Sequence, residues 1–81
     1  MSRVYNRNEV TDEFKKLADN LGIDFYIYFD IDYMKYKGLF VDPNRNGDDV
    51  VRFDVYQDEL TEEVIFNIMD SVRDAFAKED K

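Results

Sequence analysis

The chain has 81 residues and no cysteine, so it must fold near the lower size limit of a lone domain without help from disulfides. Nineteen acids against eleven bases give a net charge of −8 and a pI near 4.3, a field that repels nucleic-acid phosphates. No stretch approaches the ~20 apolar residues of a membrane span, and the Met1–Arg7 segment lacks the apolar core of a signal peptide. The expectation is a cytoplasmic protein that touches neither membrane nor nucleic acid directly.

Seven Phe and six Tyr supply the core, because each buried aromatic removes roughly 150–250 Å² from water. One α+β domain spanning residues 1–81 is expected, with short flexible ends at about 1–6 and 78–81.

Val10, Phe14, Leu17, Ala18 and Leu21 recur at helical spacing and predict a first helix over about 8–21. Asn6 with Glu9 suits a capping box, or Asn8 caps alone. Gly22 then reads as a left-handed stop, with Ile23 as its apolar partner.

Phe25, Ile27, Phe29 and Ile31 alternate with Tyr26, Tyr28, Asp30 and Asp32, predicting a first strand over about 24–31 with one apolar face. A second strand over about 34–41 follows a hairpin through Asp32–Tyr33. Its apolar parity changes around Gly38, the pattern of a β-bulge. The Asp42–Asp48 stretch is dense in turn formers, and Asn46–Gly47 is a hairpin signal. The third strand, about 50–56, turns Val51, Phe53 and Val55 inward.

The second helix covers about 61–77. Thr61 is its N-cap, and Leu60 with Ile65 makes a hydrophobic staple. Val64, Ile65, Ile68, Val72, Ala75 and Phe76 form the buried stripe, with Met69 at its edge and Phe66 off it. The sum is an α-β-β-β-α order, a three-stranded antiparallel sheet with both helices on its apolar face. The opposite face would carry Tyr26, Tyr28, Arg52, Asp54, Tyr56, Lys35 and Lys37.

Catalytic chemistry has few candidate groups here. There is no His, no Cys and no Gly-rich phosphate loop. Asp42-x-Asn44-x-Asn46-Gly47 matches the opening of a calcium loop, but the closing bidentate acid is replaced by Phe53, so a polar hairpin loop is the better reading. Asp30 and Asp32 have the spacing of a Mg²⁺ pair, with Asp24 and Asp54 as further acids, yet a turn role explains them better. The expectation is a non-catalytic protein without metal or cofactor.

Two surfaces suit a protein partner. Tyr26, Tyr28 and Tyr56 on the open sheet, with Phe66, offer low-entropy aromatic anchors and a route to a weak homodimer, although Tyr is also simply a good strand former. The second surface is acidic. It comprises Asp58, Glu59, Glu62, Glu63, Asp70 and Asp74, with Asp48 and Asp49 on the loop, and it suits a basic partner. Residues 57–81 hold eight acids against three bases.

The α-β-β-β-α order is also that of the double-stranded-RNA-binding domain, whose basic cluster at the last helix is replaced here by Asp58, Glu59, Glu62 and Glu63. In size, acidity and element order the whole chain resembles small phage-encoded inhibitors, including anti-CRISPR and other DNA-mimic proteins. That resemblance implies carboxylates presented where a partner expects phosphates. The leading expectation is therefore an acidic inhibitor of a basic, nucleic-acid-handling protein. The alternative is a small adaptor or subunit that pairs through its tyrosine face.

Overall fold

The Asn6 carboxamide accepts the Glu9 backbone N–H at 2.9 Å, and the Glu9 carboxylate accepts the Asn6 N–H at 3.0 Å. This reciprocal box starts helix α1, Arg7–Leu21, by satisfying donors that the first turn cannot. Gly22 ends it at φ +70°, where a side chain would be strained. The Gly22 and Ile23 N–H groups donate back to Asp19 and Ala18, the two bonds of a Schellman stop. Asn8 lies inside the helix and is not the cap.

The structure, a computed structural model, describes residues 3–44 and 50–76. It is a small α+β fold in the order α1, β1 (Asp24–Asp30), β2 (Lys35–Val41), β3 (Val50–Tyr56), a short 3₁₀ turn (Gln57–Glu59) and α2 (Glu62–Phe76). The sheet is antiparallel, with β2 in the centre. Asn46–Gly47, the expected turn between β2 and β3, lies outside the described residues.

Three inward rows cross the sheet: Phe25–Phe40–Val51, Ile27–Gly38–Phe53 and Phe29–Tyr36–Val55. The expected bulge at Gly38 is absent, for pairing runs unbroken from Lys35 to Val41 on both sides. Gly38 instead makes room. A Cβ there would lie 2.6 Å from Phe53 Cζ and against the Tyr26 carbonyl. The apparent change of parity is one missing inward side chain whose place the Phe53 ring fills.

Two further corrections fall at the β1–β2 connection. Ile31, expected inward, is 74% exposed, and Met34 lies outside β2. The strands twist apart after the Asp30–Lys35 pair, so Ile31–Met34 forms a four-residue turn, not a two-residue one. Val4 bridges Thr61 and the Tyr5 N–H donates to the Leu60 carbonyl at 2.8 Å, which ties Val4 and Tyr5 to the residues that precede α2.

Thr61 caps α2 through its hydroxyl, which accepts the Val64 N–H at 3.4 Å. Leu60 and Ile65 are both fully buried, as a hydrophobic staple requires. The buried stripe is Ile65, Met69, Val72 and Phe76, with Val64, Ile68 and Ala75 half-buried. Met69 is thus inside the stripe and not at its edge, buried with the rest of the core cluster.

Phe14 sits at the centre of the core with none of its surface exposed. Its ring meets Phe25, Phe40 and Phe53 edge-on, at centroid distances of 6.3, 5.2 and 5.2 Å, one partner from each strand. Phe14→Ala should cost about 3–5 kcal/mol, and Gly38→Ala at least about 1–3 kcal/mol, because its Cβ would meet the Tyr26 carbonyl as well as the Phe53 ring. Urea denaturation measures both. The half-buried Phe29 should be less costly to truncate than Phe14.

Candidate functional site

The outward rows of the sheet are Asp24–Val41–Val50, Tyr26–Leu39–Arg52, Tyr28–Lys37–Asp54 and Asp30–Lys35–Tyr56. Strand alternation puts them on the side away from both helices. Charges on this face pair diagonally. Lys35 Nζ lies 3.0 Å from Asp54 and 4.5 Å from the Tyr56 ring centroid, and Lys37 Nζ lies 3.1 Å from Asp30. The hydrogen bonds raise both lysine pKa values above their ordinary range, against a smaller lowering by burial. Arg52 has no carboxylate partner among the described residues. The face is therefore nearly self-neutralised, with Tyr26, Tyr28 and Tyr56 exposed around a half-buried Leu39.

Phe66 does not belong to this face. It lies on α2, 49% exposed, one helical turn from Glu62 and Glu63 on one side and from Asp70 on the other. Asp58, Glu59, Glu62, Glu63, Asp70 and Asp74 are all exposed. Arg73 holds Asp70 at 3.1 Å and Arg3 lies within electrostatic reach of Glu62; the others of this group have no cationic partner among the described residues. Asp48 and Asp49 lie outside the described residues. The structure thus separates two surfaces, an aromatic sheet with paired charge and an acidic helix whose one large exposed apolar side chain is Phe66.

A third surface escaped the sequence reading. Ile31, Tyr33 and Met34, which are 74%, 63% and 50% exposed, crowd the β1–β2 turn. Met34, with Val4, Tyr56, Gln57 and Asp58, lines an adjoining groove of about 480 Å³. The signal in the sequence was the turn itself, for Ile31-Asp32-Tyr33-Met34 holds only one residue type that favours turns. Met34 adopts φ 56°, the only non-glycine residue with positive φ among those described.

Asp30 and Asp32 do not assemble a metal site. The Asp30 carboxylate accepts the Asp32 N–H at 3.1 Å and pairs with Lys37, and Asp24 lies at the far end of β1. Asn44 likewise donates its N–H to Asp42, at 2.9 Å, in an Asx turn. Comparison with protein-family models, with curated proteins and with solved structures gives no match.

Two measurements follow from this geometry. The Lys37 hydrogen bond, first, and the Asp32 N–H hold the Asp30 carboxyl below its ordinary 3.8. A depressed folded pKa stabilises fully above the unfolded value and is lost as pH falls through the folded one. Asp30→Asn should therefore lower the urea midpoint at neutral pH, and the gap from wild type should close as acidification passes below 3.8. Met34→Gly should raise stability by roughly 0.5–1 kcal/mol, because glycine carries no penalty in the left-handed region. Thermal melts at fixed pH measure that gain.

Proposed function

We propose that the protein is a non-catalytic acidic binding protein that occupies the basic, nucleic-acid-binding surface of a partner protein and thereby inhibits it. The observation that supports this reading is the row of exposed carboxylates from Asp58 to Asp74, of which only Asp70 forms an ion pair among the described residues, with Phe66 exposed among them. Hydrated carboxylates without internal partners are free to accept charge-assisted hydrogen bonds from lysine and arginine. The sheet face has already used its charges on itself.

Capture from the host lysate followed by binding measurements on the purified partner tests the reading. Glu62→Gln/Glu63→Gln and Asp70→Asn/Asp74→Asn should each weaken binding by about 1–3 kcal/mol and flatten its salt dependence, while changing folding by under ~1 kcal/mol. Normal binding by both double variants at low salt would reduce α2 to a solvated helix face.

A second reading has its own observation: the open sheet carries three exposed tyrosines around Leu39. Three strands of seven residues span roughly 300 Å² of flat sheet, well short of the ~800 Å² per partner of a stable interface. Self-association through this face is therefore weak. Sedimentation at millimolar protein should show a dimer fraction that Tyr28→Asp reduces, and a strict monomer there would remove this reading.

A further inference from the structure

We propose that the groove between the β1–β2 turn and the 3₁₀ turn is the seat for a protein segment carrying a large apolar side chain beside lysine or arginine. The proposal rests on the reading of the chain as a binder of basic proteins and adds where the partner's apolar anchor goes.

The groove floor is apolar. Val4, Met34 and Tyr56 line it, and Gln57 and Asp58 form its polar lip. Its volume, about 480 Å³, falls within the roughly 300–1,000 Å³ of sites that bury a ligand. Its walls are fixed before anything binds. The Met34 carbonyl accepts the Gln57 N–H at 2.9 Å, while Val4 pairs with Thr61 and so with the start of α2. A preformed wall spares the partner the cost of ordering it.

The turn above the groove breaks local rules without benefit to the core. Ile31, Tyr33 and Met34 take no part in the buried cluster, although polar turn residues would solvate better there. Met34 holds a left-handed conformation that glycine or asparagine would adopt at less cost. Such local inconsistency is expected where binding, and not folding, selects the side chains.

Charge fixes the kind of occupant. Asp58 on the lip and Asp32 in the turn have no cationic partner among the described residues. The nearby Lys35 and Lys37 are engaged by Asp54 and Asp30. Asp58 lines the groove and Asp32 lies in the adjacent turn, while the Lys35 ammonium over the Tyr56 ring is already paired with Asp54. The uncompensated charge beside the groove is therefore negative, and an apolar side chain flanked by cations complements it. Glu59, Glu62 and Glu63 continue the acidic surface away from the lip, so one basic segment can seat its anchor here and run on along α2.

Two five-residue peptides, Lys-Lys-Phe-Lys-Lys and Lys-Lys-Ser-Lys-Lys, titrated at low salt into the isotope-labelled full chain test this by NMR. The phenylalanine peptide should bind roughly fivefold or more tightly and should shift the Met34 methyl and the Tyr56 and Gln57 amides. Met34→Asn tolerates the left-handed turn and deletes the thioether. It should erase the phenylalanine preference and leave the serine peptide's affinity unchanged. Equal binding of both peptides, with shifts confined to α2, overturns the groove while leaving the acidic-binding reading intact. A phenylalanine preference that survives Met34→Asn also overturns the groove. Absence of binding by either peptide at millimolar concentration overturns both.

Discussion

The contact of Phe14 with one aromatic ring from each strand is the constraint on which the rest of the structure depends. A chain this short has a single core, and one helix residue must fix the sheet's position from outside it. Edge-on rings do so with direction as well as area, because the ring quadrupole favours that geometry over face-to-face contact. Phe25 and Phe40 stack beside the contact, and Gly38 clears the space that lets Phe53 reach it. The meander, the glycine and α1 are thus parts of one arrangement. Ile65 and Val72 of α2, buried in the same cluster, complete it.

Committing both helices to one side leaves the opposite side of the sheet open, as antiparallel sheets allow. The chain manages that exposure with crossed lysine–aspartate pairs and tyrosines. These half-buried pairs, still open to water on one side, contribute modest stability each. Their larger effect is on the electrostatic field, since they cancel charge on the sheet and leave the net −8 to be carried elsewhere. Among the described residues, Asp58, Glu59, Glu62, Glu63 and Asp74 of the 3₁₀ turn and α2 form no ion pair, and neither do Asp12, Glu13, Asp24 and Asp32 elsewhere. The acids of the 3₁₀ turn and α2 are the charge that a basic partner would meet.

The elements were legible in the sequence because their signals are local. The Asn6–Glu9 box, the Gly22 stop and the Leu60–Ile65 staple each depend on residues a few positions apart, and each forms as read. The inward rows of β1 and β3 follow from simple alternation. Gly38 was misread because a residue without a side chain leaves no mark of which way it faces, and only the ring of Phe53 across the strand explains it. Ile31 was misread because alternation carries no information about where the pairing ends. The groove beside Met34 joins Val4, Met34 and Tyr56 from three distant points of the chain, and nothing in their local sequence brings them together. Phe66 was recognisable as off-stripe, but its place among the acids of α2 and not beside the tyrosines follows only from the sheet lying between them.

The proposed partner contact runs along the acidic α2 side and the adjoining turn and, apart from Tyr56 at the groove, leaves the sheet face free. Hydrogen–deuterium exchange of the chain, alone and bound to its captured partner, tests this most directly. Added protection is expected over Ile31–Met34 and Tyr56–Phe66, with the amides of Tyr26, Leu39 and Arg52 unchanged. Protection centred on those sheet residues, with α2 exchanging as in the free chain, would contradict it.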